Sequence, residues 1–170
     1  MITVITDSTT EPVTLNEAKT WLGIDLDVTT HDADITACIA AARKKVEQLS
    51  GLSLSAKTLK LILNDYNDTY IDMPYPPTVS ITSVKTYDSE GTATTYVDGS
   101  DYHLIANRLM FSGNGDITEI IYTTGSNDEE FFKLAIKKQL AFDYKNESKD
   151  NGFDEEVSRM ISSVTLNLGY

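Results

Sequence analysis

Asp32-Ala33-Asp34-Ile35-Thr36-Ala37-Cys38-Ile39-Ala40-Ala41-Ala42-Arg43-Lys44-Lys45-Val46-Glu47-Gln48-Leu49-Ser50-Gly51 decides one half of the fold. Ile35, Cys38, Ile39, Ala42, Val46 and Leu49 recur at steps of three, four and seven, the stripe of a helix with one buried face. Asp32 and Asp34 sit where the helix dipole favours acids, and Arg43, Lys44 and Lys45 lie in the second half, where it favours bases. Gly51 is a natural stop, so the spacing predicts a helix over 32–50. Upstream, Thr14-Leu15-Asn16-Glu17 is a capping box, in which hydroxyl and carboxylate satisfy each other's backbone N–H. It opens a short helix over 15–22 that stops at Gly23, with Leu15, Ala18, Trp21 and Leu22 on one face. Asp25 to Asp34 reads as a polar connector.

Beyond Gly51 the period changes. Runs rich in β-branched and aromatic residues occur at 58–63, 69–73, 79–87, 94–97, 102–105, 108–111 and 117–123. Turn residues separate them, among them Pro74-Tyr75-Pro76-Pro77, Asp98-Gly99-Ser100 and Gly113-Asn114-Gly115, the last read as a hairpin turn. This predicts a small antiparallel sheet, barrel or sandwich. Helical spacing returns with Phe132, Ala135, Ile136 and Leu140, behind a second capping box at Ser126-Asn127-Asp128-Glu129. After a polar break at 146–152, Asp154 caps a last short helix carrying Val157, Met160, Ile161 and Val164. The fold class expected is α+β: a helical domain of about four helices with an antiparallel β-subdomain inserted between the second and third. The boundaries expected are 1–56 for the N-terminal helices, 57–125 for the β-subdomain and 126–170 for the C-terminal helices.

Composition narrows the function. The 170 residues hold 14 Lys+Arg against 26 Asp+Glu, a net charge of -12. Such a surface repels phosphate, which argues against a nucleic-acid clamp and against adhesion to an anionic membrane. Acids exceed bases by eight within 51–130, the most acidic segment. The one cysteine, Cys38, has no internal disulfide partner and falls on an apolar stripe, as a small core residue would. Residues 1–7 lack a basic region and a long apolar run, so no signal peptide is expected and the chain reads as a soluble cytoplasmic product.

No catalytic constellation emerges. His31 and His103 are dispersed and, with one cysteine, make no familiar zinc spacing. Asp25, Asp27, Asp32 and Asp34 resemble a calcium loop, but its sixth and twelfth positions are Thr30 and Thr36 instead of Gly and Glu. There is no Gly-x-Ser-x-Gly elbow. Asp128, Glu129 and Glu130 suit a helix first turn better than a glycosidase. No enzyme, cofactor or metal is therefore expected. Seven of nine tyrosines, Tyr66, Tyr70, Tyr75, Tyr87, Tyr96, Tyr102 and Tyr122, fall in the β-segment. They either cover a sheet face or form a protein-contact face. A glycan-type ligand on that segment is the alternative function.

The order of the motifs carries a resemblance. Pro12-Val13-Thr14-Leu15-Asn16-Glu17-Ala18-Lys19-Thr20-Trp21-Leu22-Gly23-Ile24 resembles the first helix of the head–tail connector (adaptor, head-completion) proteins of long-tailed bacteriophages. Residues 32–51, with Ala40-Ala41-Ala42-Arg43, resemble the second helix. Met73-Pro74-Tyr75-Pro76-Pro77-Thr78-Val79 is similar to the proline-rich approach to the β-region, and Ile120-Ile121-Tyr122-Thr123-Thr124-Gly125 to its closing strand. Residues 134–147 are similar to the penultimate helix, departing from the family at Glu147-Ser148, where an arginine is common. The resemblance runs over 12–165 and implies a structural virion protein. It implies docking beneath the portal protein as a ring, typically twelve-fold, with stopper or tail-completion proteins as further partners. Such a ring extends a channel through which DNA passes without specific binding. The protein would be made in the host cytoplasm, could be monomeric in isolation, and would not contact membrane. Tyr75, Pro76, Tyr87, Tyr96, Tyr144, Met160 and Tyr170 are the contact residues expected on this reading, and the segment after Asn146 is expected to order on docking.

Overall fold

The computed structural model describes residues 1–66, 68–113, 115–126, 129–145 and 152–168, with residues 164–168 described by their backbone alone. Eight strands and four helices occur among them, in the α+β class. The chain divides into two compact units, one of residues 1–8 and 55–126 and one of residues 9–54 and 127–170.

The first unit is β. Its larger sheet has strand order β1-β2-β8-β4-β5, with β1 Ile2–Thr6, β2 Lys57–Asn64, β8 Ile117–Thr124, β4 Thr78–Tyr87 and β5 Ala93–Tyr96. Every neighbouring pair is antiparallel. A second antiparallel sheet runs β3-β7-β6, with β3 Tyr70–Asp72, β7 Arg108–Phe111 and β6 Tyr102–Ile105. Strand alternation explains the core. In β8 the residues Thr118, Ile120, Tyr122 and Thr124 are buried and those between them are not. Register sets Leu59 opposite Tyr122, and both Leu61 and Val84 opposite Ile120, all on that buried face. Ile71, Met73, Tyr102, Leu109 and Phe111 complete the cluster.

The strand β1 lies within the stretch expected to hold the N-terminal helices, in residues 1–13, for which the helical spacing predicts no element. Its signal is the run Ile2-Thr3-Val4-Ile5-Thr6, all five side chains β-branched in a stretch too short for a stable helix. The Gly113-Asn114-Gly115 turn is also corrected. Asn114 lies outside the described residues, but β7 and β8 belong to different sheets, so the stretch is no hairpin. Its glycines serve close approach: a Cβ at Gly113 would stand 2.2 Å from the Phe111 ring, and one at Gly115 2.7 Å from Thr86 Cβ.

The second unit is helical, with α1 Leu15–Leu22, α2 Asp32–Ser50, α3 Glu130–Lys145 and α4 Glu155–Leu168. Both bonds of the first capping box form, and Gly23 and Gly51 take the left-handed conformation that ends α1 and α2. Asp154 caps α4, its Oδ1 accepting the Val157 N–H at 3.0 Å. The second capping box differs from expectation. Asn127 and Asp128 lie outside the described residues, and α3 begins at Glu130, with the Glu129 carbonyl accepting from Phe132 and Lys133. Ile35, Ile39, Ala42 and Val46 of α2 meet Phe132, Ala135, Ile136 and Leu140 of α3, with Val157 and Ile161 of α4. Each large aliphatic side chain so buried contributes roughly 1.5–3 kcal/mol. Cys38 packs half-buried against this cluster.

Trp21 is not on the buried face. At 100° per residue it lies about 90° from the centre of the Leu15–Ala18–Leu22 stripe, and it is 45% exposed. The bases of α2 do not act on the helix dipole either, because its last turn holds none of them. Arg43 is buried and paired with Glu11 and Glu47, and Lys45 reaches Asp143 on α3 at 2.7 Å.

Candidate interaction surfaces

In the β unit, the segment Met73–Thr78 is built rigidly from its neighbours. Tyr122 is fully buried and its hydroxyl donates to the Pro74 carbonyl at 2.8 Å. The Gly125 N–H donates to the Pro77 carbonyl at 2.8 Å. Asn107 closes the same turn, its Nδ2 donating to the Met73 carbonyl at 2.6 Å while its Oδ1 accepts the Thr78 N–H at 3.1 Å. Between these anchors Tyr75 is held at φ 57°, a left-handed backbone that costs a non-glycine residue about 1 kcal/mol. The Pro76–Pro77 peptide is cis. The half-buried Tyr75 ring lies 5.9 Å from Lys57 Nζ, within cation–π range. Tyr75 and Pro76 thus form one small fixed surface at the start of β4.

The other tyrosines separate. Tyr87 is half-buried at the opposite end of β4, opposite Ile117 and Ala93. Tyr96 stands edge-on to Phe111 at 4.8 Å, and its hydroxyl lies 3.1 Å from Thr86 Oγ1, so its ring is engaged with the core. Tyr102 and Tyr122 are buried, whereas Tyr70 is exposed beneath Arg108, whose guanidinium sits 4.3 Å from the ring and pairs with Asp72. The tyrosine-rich segment therefore presents no single tyrosine face. In the helical unit, Tyr144 packs half-buried on the core and Met160 is half-buried one residue before Ile161. Tyr170 lies outside the described residues. His31 and His103 are both exposed, and among the described residues no three His, Cys, Asp or Glu side chains are arranged to hold a metal ion. Among the described residues no helix is long and apolar enough to cross a membrane.

Charge is unevenly placed within the β unit, where ten acids face four bases. Register brings Asn64, Ile117 and Tyr87 side by side, so Asp65, Asp116, Asp88 and Glu90 gather at one end of the larger sheet. The Asp65 N–H donates to the Asp116 carbonyl there, and Asp88 Oδ1 accepts the N–H of Glu90 and of Thr92.

Two surfaces escaped sequence reading. The first is the α1–α2 connector. Lys19 is buried, and its ammonium donates to the Leu26 and Val28 carbonyls, each at 2.8 Å, and to Asp32 Oδ1 at 2.9 Å. This satisfies all three protons of the ammonium and fastens the connector on which Leu26 and Val28 are exposed. The available signal was position: Lys19 lies only about 40° from Leu15 around α1, on the buried flank. A neighbouring hollow of about 420 Å³ is lined by Asn16, Glu17, Thr20, Trp21 and Lys137. The second surface is β1, whose five residues are all exposed although Ile2, Val4 and Ile5 are apolar.

No curated protein matches the chain. Among solved structures, a chain from the neck of an empty GTA particle computed with C6 symmetry is similar at a TM-score of 0.77 and 18% identity, over 96% of this chain and 94% of that one. A chain from the virion of a native gene transfer agent (GTA) particle matches at 0.74 and 17%, over 96% and 94%. One from the neck of the native particle computed with C12 symmetry gives 0.74 and 17%, over 96% and 93%. At these identities the likeness is one of fold. The family of head completion proteins matches over residues 11–163, which takes in all four helices up to the last turns of α4 and all of the strands but β1. By that match the chain belongs to the head completion protein family.

Proposed function

We propose that this chain is the head–tail connector of a tailed virion. It assembles as a ring, of twelve copies on this reading, beneath the portal protein, prolongs the DNA channel, and offers the surface on which a stopper or tail-completion protein docks. The observation that carries the reading is the family match across 11–163, supported by a fold like that of chains from GTA necks treated with sixfold and twelvefold symmetry.

The physical chemistry is compatible with that role. Both compact units carry an excess of acids, ten against four and sixteen against ten. An acidic channel wall repels the phosphate backbone and lets DNA slide. The acidic end of the larger sheet is the surface best suited to face it. Tyr75 and Pro76, on their pinned turn, and Tyr87 beside the acidic end are the contact residues of the β unit. Tyr144 and Met160 are those of the helical unit.

The test is deletion of the gene followed by electron microscopy of the particles. The expected result is DNA-filled or leaking heads without tails, restored when the gene is supplied in trans. Normally tailed, infectious particles would overturn the reading.

A further inference from the structure

The larger sheet ends in two edges, and both are uncharged: Ile2-Thr3-Val4-Ile5-Thr6 on one side and Ala93-Thr94-Thr95-Tyr96 on the other. Sheet edges in soluble proteins are normally blunted by charge, proline or a covering segment, because an open row of N–H and C=O groups recruits another strand. Here β1 is exposed along its whole length, as are Ala93, Thr94 and Thr95.

The hydrogen-bond pattern fixes which groups face outward. Met1 and Ile62 exchange both backbone bonds, so with antiparallel alternation Thr3 also bonds inward, while the N–H and C=O of Ile2 and Val4 point away from β2. On the far edge the Asp88 N–H donates to the Thr92 carbonyl, so Thr94 and Tyr96 bond inward and Ala93 and Thr95 point out. Each edge thus offers two outward residues spaced by two.

We propose that the β1 edge of one copy pairs with the β5 edge of the next, joining the sheets of successive subunits around the ring. This rests on the connector reading above and names the surface that reading leaves open. Two observations select a second copy as the occupant. A cyclic ring needs heterologous contacts between two different surfaces, and the two edges are such a pair. In a sheet of five antiparallel strands β1 and β5 run the same way. The rotation between neighbours, about 30° in a twelve-fold ring, therefore leaves the joined strands parallel, close to the natural twist between adjacent strands. Parallel bonding from Ile2 and Val4 to Ala93 and Thr95 places Thr94 opposite Ile2 or Val4.

Val4→Pro tests the edge. It removes an outward N–H and leaves the inward bonds to β2 in place, which an edge strand tolerates. The variant is expected to melt within about 4 °C of the parent, yet to lower the yield of tailed particles at least about tenfold, since a donor is lost at every junction. Val4→Thr should assemble normally. Independently, Thr94→Cys combined with Ile2→Cys or Val4→Cys, in a Cys38→Ser background, should give oxidised multimers of this chain in purified particles in one of the two registers. A folded Val4→Pro chain giving full yields of tailed particles would overturn the edge pairing, as would absence of cross-linking in both registers. Should Val4→Pro fail to fold, the cross-link alone decides. The deletion phenotype separates the two claims: tailless deletion particles with uncoupled edges reject only this pairing.

Discussion

Arg43 and Glu47, one turn apart on α2 and both buried, form an ion pair at 2.9 Å that organises the ends of the helical unit's N-terminal stretch. The same guanidinium reaches Glu11, Nε to Oε2 at 2.7 Å, just ahead of α1. The other Glu47 oxygen accepts the Leu54 N–H at 2.9 Å, just past the end of α2. Residues 9–11 and 52–54 are where the chain enters and leaves this unit, so one buried pair anchors both passages.

Arg43→Ala leaves the Glu47 carboxylate buried without its cation, and such truncations cost about 3–5 kcal/mol. Urea unfolding followed by circular dichroism should show that loss. Glu47→Gln keeps an acceptor for the Leu54 N–H and should cost less.

Lys19→Met removes the ammonium that fastens the α1–α2 connector. Two carbonyls and Asp32 lose their donor, and an expected cost of about 3 kcal/mol follows from truncating a buried, fully bonded charge. Hydrogen exchange should accelerate at residues 24–32 before it does in α3.

Tyr122→Phe deprives the Pro74 carbonyl of its donor and should destabilise the β unit by about 1–2 kcal/mol. Burial, then the neighbouring Tyr75, pushes the Tyr122 phenol well above its ordinary range. Burial raises Tyr66 and Tyr102 in the same direction. The raised groups add stability that is complete below the unfolded phenol pKa of about 10 and is lost as pH rises above it. Alkaline titration of stability should show that fall, and Tyr122→Phe should reduce its steepness.

Glu17 titrates on the acid side. The Thr14 N–H, then the Thr14 hydroxyl, hold its carboxyl below the usual carboxylate range, against partial burial and with help from Lys137 and Lys133. Its contribution is present above the unfolded pKa of about 4.3 and is lost as pH falls through the lower folded value. Thr14→Ala should cost about 1 kcal/mol at neutral pH, and the difference from the parent should shrink in acid.

What could be read from the sequence follows from which interactions are local. The limits of α1 and α2 were legible because Thr14, Glu17, Gly23 and Gly51 act on backbone groups within a turn of themselves. The seven strands after Gly51 were legible because β-branched runs alternate with turn residues. Their division into two sheets was not, since pairing such as Leu61 with Ile120 is decided across a long separation. Buried Lys19 and Arg43 look in sequence like solvated bases, because only the fold supplies their partners. The contact tyrosines could not be sorted for a related reason. Tyr122 sits in a strand whose two faces both carry apolar side chains, Ile120 on one and Ile121 on the other, so period two does not say which is buried. The open β1 edge depends on where a five-residue strand docks, which no local pattern states.

The most direct test of the connector account is a reconstruction of the neck in purified particles that carry this chain. The account predicts a closed ring of this α+β fold directly beneath the portal, with its channel continuous with the portal's and the tail-side proteins seated on it. A neck whose density holds no copy of this fold, or the chain located elsewhere in the particle, would contradict it.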